Sequence, residues 1–543
     1  VVSHNIANSA MPGFSRQQTL QKASRPLNLF NGRGLYGTGS EVYGIIQIRD
    51  IYLDWKYWTQ RGILGEYSTK NNHLAVMENL FNDFNDAGIR TGFMDFFNRC
   101  QDLSTNTPDA TYRANVITSA ETLAQLIRNN AEALQKQQRD INFEITGIVT
   151  RINSLGTQIA SLNRQIYQYE LDGQNANDLR DQRALLVDTL SEYVNVQVDE
   201  RDFGNSHIQF DKRFTVMING YDFVNHFQVQ QLVCVPRDII DEFGDPSLIT
   251  LDGREYMSSE KRNDMDVPGL YDIYFKGSGA LFDIYSKTLQ GTLKGLIDIR
   301  DGNNNDEATM VDAKKPTTAY KGIPFYMQKL NILVRTFTRA INEGRNVDGE
   351  SIKDVIGHLD GYNKYGMESG KPSGILLFTR VVGNEVYTAD DFGYILLPNG
   401  NRVLDYSKLN CLNFSINPDL LSDPFLLATS SEAYIGESNN YVTHGFGKLN
   451  SYPSLFKEGK LIDFIIGTTD HLAIDRMQAI KFDLSYNDIS MATQNQRLSV
   501  SGVDLNEEMV ALVKYQQLFV ACARLVNVID DVYNTLVNRL GNF

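Results

Sequence analysis

The stretch "AETLAQLIRNNAEALQKQQRDINFEITGIVTRINSLGTQIASLNRQIYQY", residues 120–169, decides the fold. Alternate steps of four and three residues visit fifteen positions along it, and fourteen of them are apolar. A repeat of about 3.5 residues is typical of a long helix that packs against a partner. Because no proline interrupts it, the pattern predicts a helix of about 75 Å, suited to a strut or an assembly surface. The positions are Ala120, Ala124, Ile127, Ala131, Leu134, Gln138, Ile141, Ile145, Ile148, Ile152, Leu155, Ile159, Leu162, Ile166 and Tyr169.

A second heptad pattern closes the chain. Ser501 and Gly502 would end a preceding helix. Asp504 and Glu507 then predict an N-cap with a capping box for the last helix. All d positions of its stripe are apolar, whereas two a positions are polar, which usually fixes register or partner number. The stripe comprises Met509, Leu512, Gln516, Phe519, Ala523, Val526, Asp530, Tyr533, Val537 and Leu540.

Strand-like segments separate the helical ones. Alternating apolar patterns such as "HIQF" and "FTVMI" stand beside the turn signals "NGYD" and "DGRE", as in antiparallel sheets, and "FYMQKLNILVRTFTRAINE" returns to a helical period. The sequence therefore predicts an α+β multidomain chain, in which an elongated helical-bundle stalk bears inserted antiparallel β-rich domains. We expect an extended N-terminal segment at 1–49, a helical core from 50–195, 290–343 and 468–543, one β-rich domain at 196–289 and a second at 344–467.

Length and composition set further bounds. A chain of 543 residues exceeds the size at which single cores stop growing, so several domains are expected. Lys and Arg total 51 and Asp and Glu total 66, which gives a net charge of −15. Without a local basic patch this charge disfavours nucleic acid as a partner. No apolar run near the length of a membrane helix and no cleavable signal peptide are evident in the sequence.

Two motifs suggest ligands, and each has a simpler alternative. Gly32, Gly34 and Gly37 have the GxGxxG spacing, but a strand-like run follows them where a dinucleotide site needs a helix. The segment "DGNNNDEATMVD", residues 301–312, resembles a calcium loop, but Asp306 replaces the glycine of an EF-hand and Asp312 is shorter than the usual glutamate. A flexible turn and a solvated polar loop are the alternatives.

Other chemistry has no local signature. The seven histidines form no HxxxH or HxH pair, and no GxSxG motif occurs. The four cysteines lie more than 100 residues apart, which excludes a local CxxC site. The sequence therefore nominates no catalytic residue, no metal site and no cofactor.

Both ends of the chain carry a resemblance. The opening "NIANSAMPGFSRQQ" resembles the N-terminal signature of the flagellar rod, hook and hook-associated proteins, and "SGVDLNEEMVALVKYQQLFVACARLVNVIDDVYNTLVNRL" is similar to their C-terminal helix. Three internal stretches narrow the resemblance to the hook-associated members at the junction of hook and filament. They are "GTGSEVYGIIQIRDIYLD" at Gly37–Asp54, "ANDLRDQRALLVDTLSEYVNVQV" at Ala176–Val198 and "GTLKGLIDIRD" at Gly291–Asp301.

The resemblance implies a structural subunit and not an enzyme. It would be exported without a cleaved signal peptide to the extracellular flagellum and polymerise at the distal end of the hook. The implied partners are hook subunits, a second hook-associated protein next to the filament, further copies in a ring, and a cytoplasmic export chaperone on the C-terminal helix. Assembly or chaperone contacts would lie at Leu512, Phe519, Val526, Tyr533 and Leu540. The alternatives are another axial component, such as the hook subunit, or a secreted calcium-binding surface protein.

The resemblance also gives the opening residues a role. The first residues would be the end of an assembly helix that begins before Val1, with Ile6 on its apolar face. Asn8 would stop the helix in the left-handed conformation. Pro12 and Gly13 would then turn the chain into the stalk. The segment 344–467 has no counterpart in this resemblance, and we expect it to be a lineage-specific domain.

Overall fold

The protein is described by a computed structural model. It describes residues 1–28, 34–81, 88–171, 173, 175–202, 212–239, 247–263, 265–303, 318–383, 385–397, 399–434 and 436–538.

Helices form most of the described chain. Two short 3₁₀ helices, Tyr406–Lys408 and Pro424–Leu426, lie among them. The α-helices are α1 Val2–Asn8, α2 Ile51–Phe81, α3 Ile89–Thr105, α4 Ala110–Glu170, α5 Asn177–Tyr193, α6 Thr292–Asp301, α7 Ile323–Glu343, α8 Lys364–Ser369, α9 Ala389–Phe392, α10 Pro418–Ser422, α11 Tyr441–Leu449, α12 Leu461–Ser501 and α13 Leu505–Asn538.

The strands form small antiparallel sheets. They pair as β1 with β4, β2 with β3, β5-β6-β7-β8, β9 with β12, β10 with β11, β14-β13-β17 and β15 with β16. The strands are β1 Gln17–Ala23, β2 Leu27–Asn28, β3 Leu35–Tyr36, β4 Ser40–Gln47, β5 Val196–Asp202, β6 Lys212–Ile218, β7 Tyr221–Asn225, β8 Gln228–Val229, β9 Leu232–Pro236, β10 Leu248–Leu251, β11 Arg254–Met257, β12 Tyr271–Phe275, β13 Phe378–Val382, β14 Glu385–Val386, β15 Tyr394–Leu396, β16 Arg402–Leu404 and β17 Phe414–Ile416.

The helix predicted from the first heptad pattern is α4. Its 61 residues, about 90 Å at 1.5 Å per residue, begin after Asp109, whose side chain accepts a hydrogen bond from the Thr111 N–H. Twelve of the fifteen predicted stripe positions are buried, and Tyr169 at the end is exposed. The stripe is covered by this chain itself, by α3, α5, α6 and α7 and by strands of both strand-bearing regions. Of the two roles predicted for this helix, the packing within the chain agrees with a strut and not with an assembly surface along the stripe.

The stalk gains a second long contact from the antiparallel pair α2 and α12. Lys56 near the start of α2 faces Gln496 near the end of α12, whereas Glu78 near the end of α2 is paired with Arg476. Midway, the rings of Tyr67 and Phe482 lie 4.7 Å apart. The N-terminal, middle and C-terminal helices thus form one body, as the sequence predicted.

Asparagine side chains on α4 attach the first strand-bearing region. Asn153 accepts from the Leu232 N–H and donates to the Leu232 carbonyl, both at 2.8 Å, as a neighbouring strand would. Asn142 accepts from the Tyr271 N–H at 2.9 Å. Gly156 permits a close approach, because a Cβ there would lie 2.6 Å from the Phe223 ring. Sheet edges therefore dock directly on the helix.

The turns in this region follow the sequence signals. Asn219 and Gly220, between β6 and β7, and Asp252 and Gly253, between β10 and β11, all have positive φ, as a type I′ hairpin turn requires. "FTVMI" lies in β6, as predicted, whereas "HIQF" lies outside the described residues. Local turn chemistry thus sets two of the hairpins.

A buried ionic cluster joins the first strand-bearing region to the end of α6. Arg237 contacts Asp272 at 2.7 Å and Asp301 at 2.9 Å, and Arg300 contacts Asp301 at 2.7 Å. Burial alone would raise the pKa of Asp301, but the two guanidinium groups hold it well below its usual range. Burial and the nearby charge of Asp301 raise the pKa of Asp266 to about 7. The cluster ties strands β9 and β12 to α6.

The segment 344–467 is a mixture of short helices and short strands. Strands β13 to β17 have two to five residues, and α8 to α11 lie before, between and after them. Its core includes Phe378 and Phe414, stacked at 5.0 Å, with Phe337 of α7 5.2 Å from Phe378. Buried Arg113 of α4 donates to the Leu427 carbonyl at 2.7 Å. This region thus shares its core with the stalk.

Substitutions in α4 should separate buried from exposed apolar positions. Ile145→Ala creates a cavity in the stripe and should lower the free energy of unfolding by about 3 kcal/mol, measured by urea denaturation. Phe143→Ala, two residues earlier and 80% exposed, is the control and should change it by less than about 0.5 kcal/mol. Equal effects would contradict the burial of the stripe within one chain.

Candidate assembly surface

The last helix is nearly free of contacts with the rest of the chain. Sixteen of its large apolar side chains are exposed, and residues 513–537 are exposed throughout. Phe519, Val526 and Tyr533 expose 75, 63 and 67% of their surface, while Leu512 is half-buried. We call these four residues the α13 stripe. The other predicted stripe residue, Leu540, lies outside the described residues.

The short helix α1 packs against α13. Ile6, a predicted site residue on α1, is half-buried. Asn8 does not stop the helix in a left-handed conformation, because the chain continues right-handed through Ser9. Instead, the Asn8 amide donates to the His4 carbonyl at 3.0 Å. The prediction of a left-handed conformation at Asn8 is therefore wrong, and the side chain instead hydrogen-bonds to a carbonyl one turn earlier in α1.

The turn after α1 forms as the sequence predicted. Gly13 has φ 78°, and the Phe14 N–H donates to the Met11 carbonyl at 3.2 Å, which closes a turn over Pro12 and Gly13. His4 packs edge-to-face on the Phe14 ring at 5.5 Å and contacts the Asp178 carboxylate. Its role is therefore packing, as expected for a surface residue.

Arg16 fixes the base of α13. Its backbone N–H donates to the Ser501 carbonyl at 2.7 Å, and its guanidinium contacts the buried carboxylate of Glu508 at 2.8 Å and Glu507 at 3.3 Å. Asp504 accepts from the Asn506 N–H at 2.8 Å, which confirms the predicted N-cap. Glu507 was predicted to close a capping box, but its carboxylate pairs with Arg16. The N-terminal segment thus holds the start of the last helix.

One turn below, five charged residues join the helices of the stalk. We call Arg49, Asp54, Asp181, Asp188 and Arg497 the charged joint. Arg497 contacts Asp54 at 2.8 Å and Asp188 at 3.0 Å. Arg49 contacts Asp54 at 2.6 Å and Asp181 at 3.4 Å. Burial raises the pKa of Asp188, although Arg497 and Arg49 oppose the shift. Sequence reasoning missed this joint, because no local pattern links residues so far apart.

A cleft of about 450 Å³ opens beside the charged joint. Its charged side chains pair with one another: Arg61 contacts Glu192 at 2.8 Å, and Arg497 contacts Asp188. The cleft therefore presents paired charges and not a convergent set of reactive groups.

The proposed calcium loop has its first residue engaged elsewhere. The Asp301 carboxylate is buried and pairs with the guanidinium groups of Arg237 and Arg300, so it is not free to bind a calcium ion. Positions 304–312 of the motif lie outside the described residues, as does Gly32 of the GxGxxG motif. Among the described residues, no group of three or more His, Cys, Asp or Glu is placed to hold a metal ion.

Part of the C-terminal region has the length and composition of a membrane-spanning helix. Among the described residues, the helical stretch Leu461–Val537 could cross a membrane by length and composition alone, and its apolar window has no buried residue. This corrects the expectation that no apolar run approaches that length. Length and composition do not distinguish a membrane helix from an uncovered coiled-coil helix, whereas polar Gln516 and Asp530 at a positions are typical of the latter.

Comparison with protein families gives two matches. A family model described as "Flagellar hook-associated protein FlgK helical domain" matches residues 74–346, which run from α2 through α4 to the end of α7. A second, described as "Flagellar basal body rod FlgEFG protein C-terminal", matches residues 494–540. The second match contains the whole α13 stripe.

Whole-chain relatives share one description, "Flagellar hook-associated protein 1". The Bacillus subtilis relative is 26% identical over 99% of this chain and 94% of its own length. The Escherichia coli relative is 23% identical over 99% of this chain and 96% of its own. The solved structure of the flagellar hook junction protein FlgK from Burkholderia pseudomallei has a similar fold, with a TM-score of 0.57 and 14% identity over 82% of this chain and all of that one.

Arg16→Ala should loosen the start of α13 without unfolding the stalk. The substitution leaves the buried Glu508 carboxylate without its cation, so we expect faster amide hydrogen exchange at 505–512 and unchanged exchange in α4. Lys22→Ala is the control, because Lys22 pairs with Glu41 on an exposed surface. Unchanged exchange at 505–512 would show that Arg16 does not anchor the helix.

Proposed function

The chain belongs to the flagellar hook-associated protein 1 family, and on that premise we propose that it polymerises at the distal end of the hook and joins hook to filament through its terminal helices. As a member of this family it is a structural component of the bacterial flagellum at the hook–filament junction. The proposal rests above all on the exposed α13 stripe, which lies inside the matched rod-type C-terminal region.

An uncovered apolar stripe favours assembly. Burying a side chain such as Phe519 or Val526 contributes about 1.5–3 kcal/mol relative to leaving it in water. Among the described residues, α1 packs against α13, and residues 513–537 stay exposed. Terminal helices of neighbouring subunits can complete the coiled coil, with polar Gln516 and Asp530 fixing its register. Assembly would therefore order the ends, while the stalk folds alone.

The proposal also gives each predicted domain a position in the flagellum. The helical core, 50–195, 290–343 and 468–543, would line the axial structure together with the N-terminal segment 1–49. The regions 196–289 and 344–467 would point outward, because they pack on the side of α4 and not on α13. In this arrangement the second region is a lineage-specific outer domain whose core is continuous with the stalk.

The partners follow from the position at the junction. Hook subunits would contact the chain on one side, a second hook-associated protein next to the filament on the other, and further copies would complete a ring. The chain would reach the extracellular flagellum through the flagellar export apparatus. Before export, a cytoplasmic chaperone would cover the α13 stripe and Leu540 as a helix in a groove. The role is structural and not enzymatic.

The family match over the stalk and the whole-chain relatives distinguish this role from that of a hook subunit. The C-terminal match is to a rod-type domain and does not discriminate among axial proteins. The match over residues 74–346 is to the hook-associated helical domain, and the whole-chain relatives carry the hook-associated description. The distinguishing information thus lies in the stalk and not in the terminal helix.

A charged residue introduced into the α13 stripe should leave hooks without attached filaments. Val526→Asp places a carboxylate in the proposed coiled-coil contact, so we expect hooks without filaments in electron micrographs of cells that carry the variant. Val528→Asp is the matched control, since Val528 is similarly exposed but two residues off the stripe. Removal of Ala521–Phe543 should give the same loss as Val526→Asp, with a folded monomer by circular dichroism. Attached filaments in both stripe variants would contradict the proposed function.

Chaperone binding should depend on the same helix. A chain that ends before Asp504 lacks α13, and we expect no heat on titration with the flagellar export chaperone of the host. The full chain should bind, and Phe519→Asp should weaken binding because Phe519 exposes the largest fraction of the stripe. Equal binding by the full and truncated chains would place the chaperone elsewhere.

A further inference from the structure

A second row of exposed apolar side chains lies on α12. Met477, Leu484, Met491 and Leu498 are seven residues apart and expose 70, 62, 52 and 51% of their surface. We call them the α12 row. The opposite face of α12 packs on α2, so Met477, Leu484 and Met491 face away from the stalk, whereas Leu498 lines the cleft beside the charged joint. Spacing of seven residues is that of a coiled-coil contact and not of isolated surface residues.

The α12 row continues into the α13 stripe without a change of register. Seven residues after Leu498 comes Leu505, and seven after that comes Leu512, the first residue of the α13 stripe. From Met477 to Tyr533 every seventh position is therefore apolar, although the helix is interrupted between Ser501 and Leu505. A register kept across a helix break indicates that both parts meet partners in the same assembly.

Charge favours an identical partner for this surface. The whole chain carries −15, so two copies repel each other except through a neutral surface. Residues 477–501 contain two cations, Lys481 and Arg497, and two anions, Asp483 and Asp488. Arg497 belongs to the charged joint, and Asp483 accepts a hydrogen bond from α2. The exposed pair, Lys481 and Asp488, is opposite in sign and flanks Leu484.

The α12 row supplies part of the area of a stable contact. Its four side chains expose roughly 450 Å², about half of the roughly 800 Å² that each partner buries in a standard interface, so the residues around the row must contribute the rest. The residues that follow the row, Gln478, Ser485, Ala492 and Ser499, are uncharged and mostly small, so a neighbour can approach closely.

We propose that the α12 row packs against a second copy of this chain, as the lateral contact between neighbouring subunits. The inference rests on the proposed function, which it deepens by assigning the subunit–subunit contact to the stalk as well as to the terminal helices. In a ring the contact is heterologous, so the row of one copy meets a different surface of the next. It would hold subunits side by side, whereas the α13 stripe is proposed to connect them to hook and filament.

Site-specific photo-cross-linking tests the occupant. A benzoylphenylalanine residue at position 484 or 491 of the full chain, in flagellated cells, should give an adduct of twice the chain's mass that contains only this chain by mass spectrometry. The same residue at 489 is the matched control, because Ile489 is exposed on another face of α12 and should give no such adduct. An adduct with a hook subunit or with lipid, or equal adducts at 484 and 489, would overturn the proposal.

A charge substitution provides an independent readout. Leu484→Asp combined with Met491→Asp should abolish the chain–chain adduct from a probe at 498, while Ile489→Asp should leave it intact. Failure of this inference is distinguishable from failure of the proposed function. If cells with attached filaments yield no chain–chain adduct from 484, 491 or 498, only the lateral contact is refuted. If Val526→Asp leaves filaments attached, the proposed function is refuted whatever the adducts show.

Discussion

Burial of one apolar stripe along α4 holds the separate parts of the chain together. Five other helices, α2, α3, α5, α6 and α7, and both strand-bearing regions pack against this helix. Because a continuous helix is stiff, positions along it set the distances between the regions that dock on it. Asn153 and Asn142 attach sheets partway along the helix, and Arg113 attaches the segment 344–467 near its start. The long helix is thus a framework whose apolar stripe is covered within one molecule.

Two heptad patterns with the same period have opposite fates in this protein. The stripe of α4 is covered because α3 and α5 fold back on it and α6 and α7 return to it from later in the chain. The stripe of α13 is exposed among the described residues, where only α1 packs on the helix. The difference does not lie in the heptads. It lies in which elements pack on each helix, and this decides whether an amphipathic helix becomes core or contact surface.

The sequence predicts those features whose causes are local. The period of α4, the helix break at Gly502, the N-cap at Asp504 and the turn at Pro12 and Gly13 depend on residues a few positions apart. These predictions are confirmed.

Features with distant causes could not be predicted. The charged joint brings together Arg49, from the segment before α2, Asp188 of α5 and Arg497 of α12, and nothing in any one segment marks its partners. Asn8 shows the same limit on a small scale: the sequence predicted a left-handed stop, whereas the backbone stays right-handed through Ser9 and the Asn8 amide donates to the His4 carbonyl. The α12 row was missed because the inner face of the same helix carries apolar residues as well, so its outer period is visible only once α2 covers the inner face.

The contacts at the base of α13 differ in strength from those that its stripe can make. Arg16 holds the helix by an exposed ion pair with Glu507, which contributes about 1 kcal/mol or less, and by an ion pair with the buried carboxylate of Glu508. Burial of several stripe residues in a neighbour contributes several times as much. The charged joint, one turn below Gly502, is buried and fixes α12 independently of the last helix. A change in the direction of α13 would break the Arg16–Glu508 pair but leave the stalk intact, and burial of the stripe in a neighbour can offset that loss, so the partner can set the final direction of the helix.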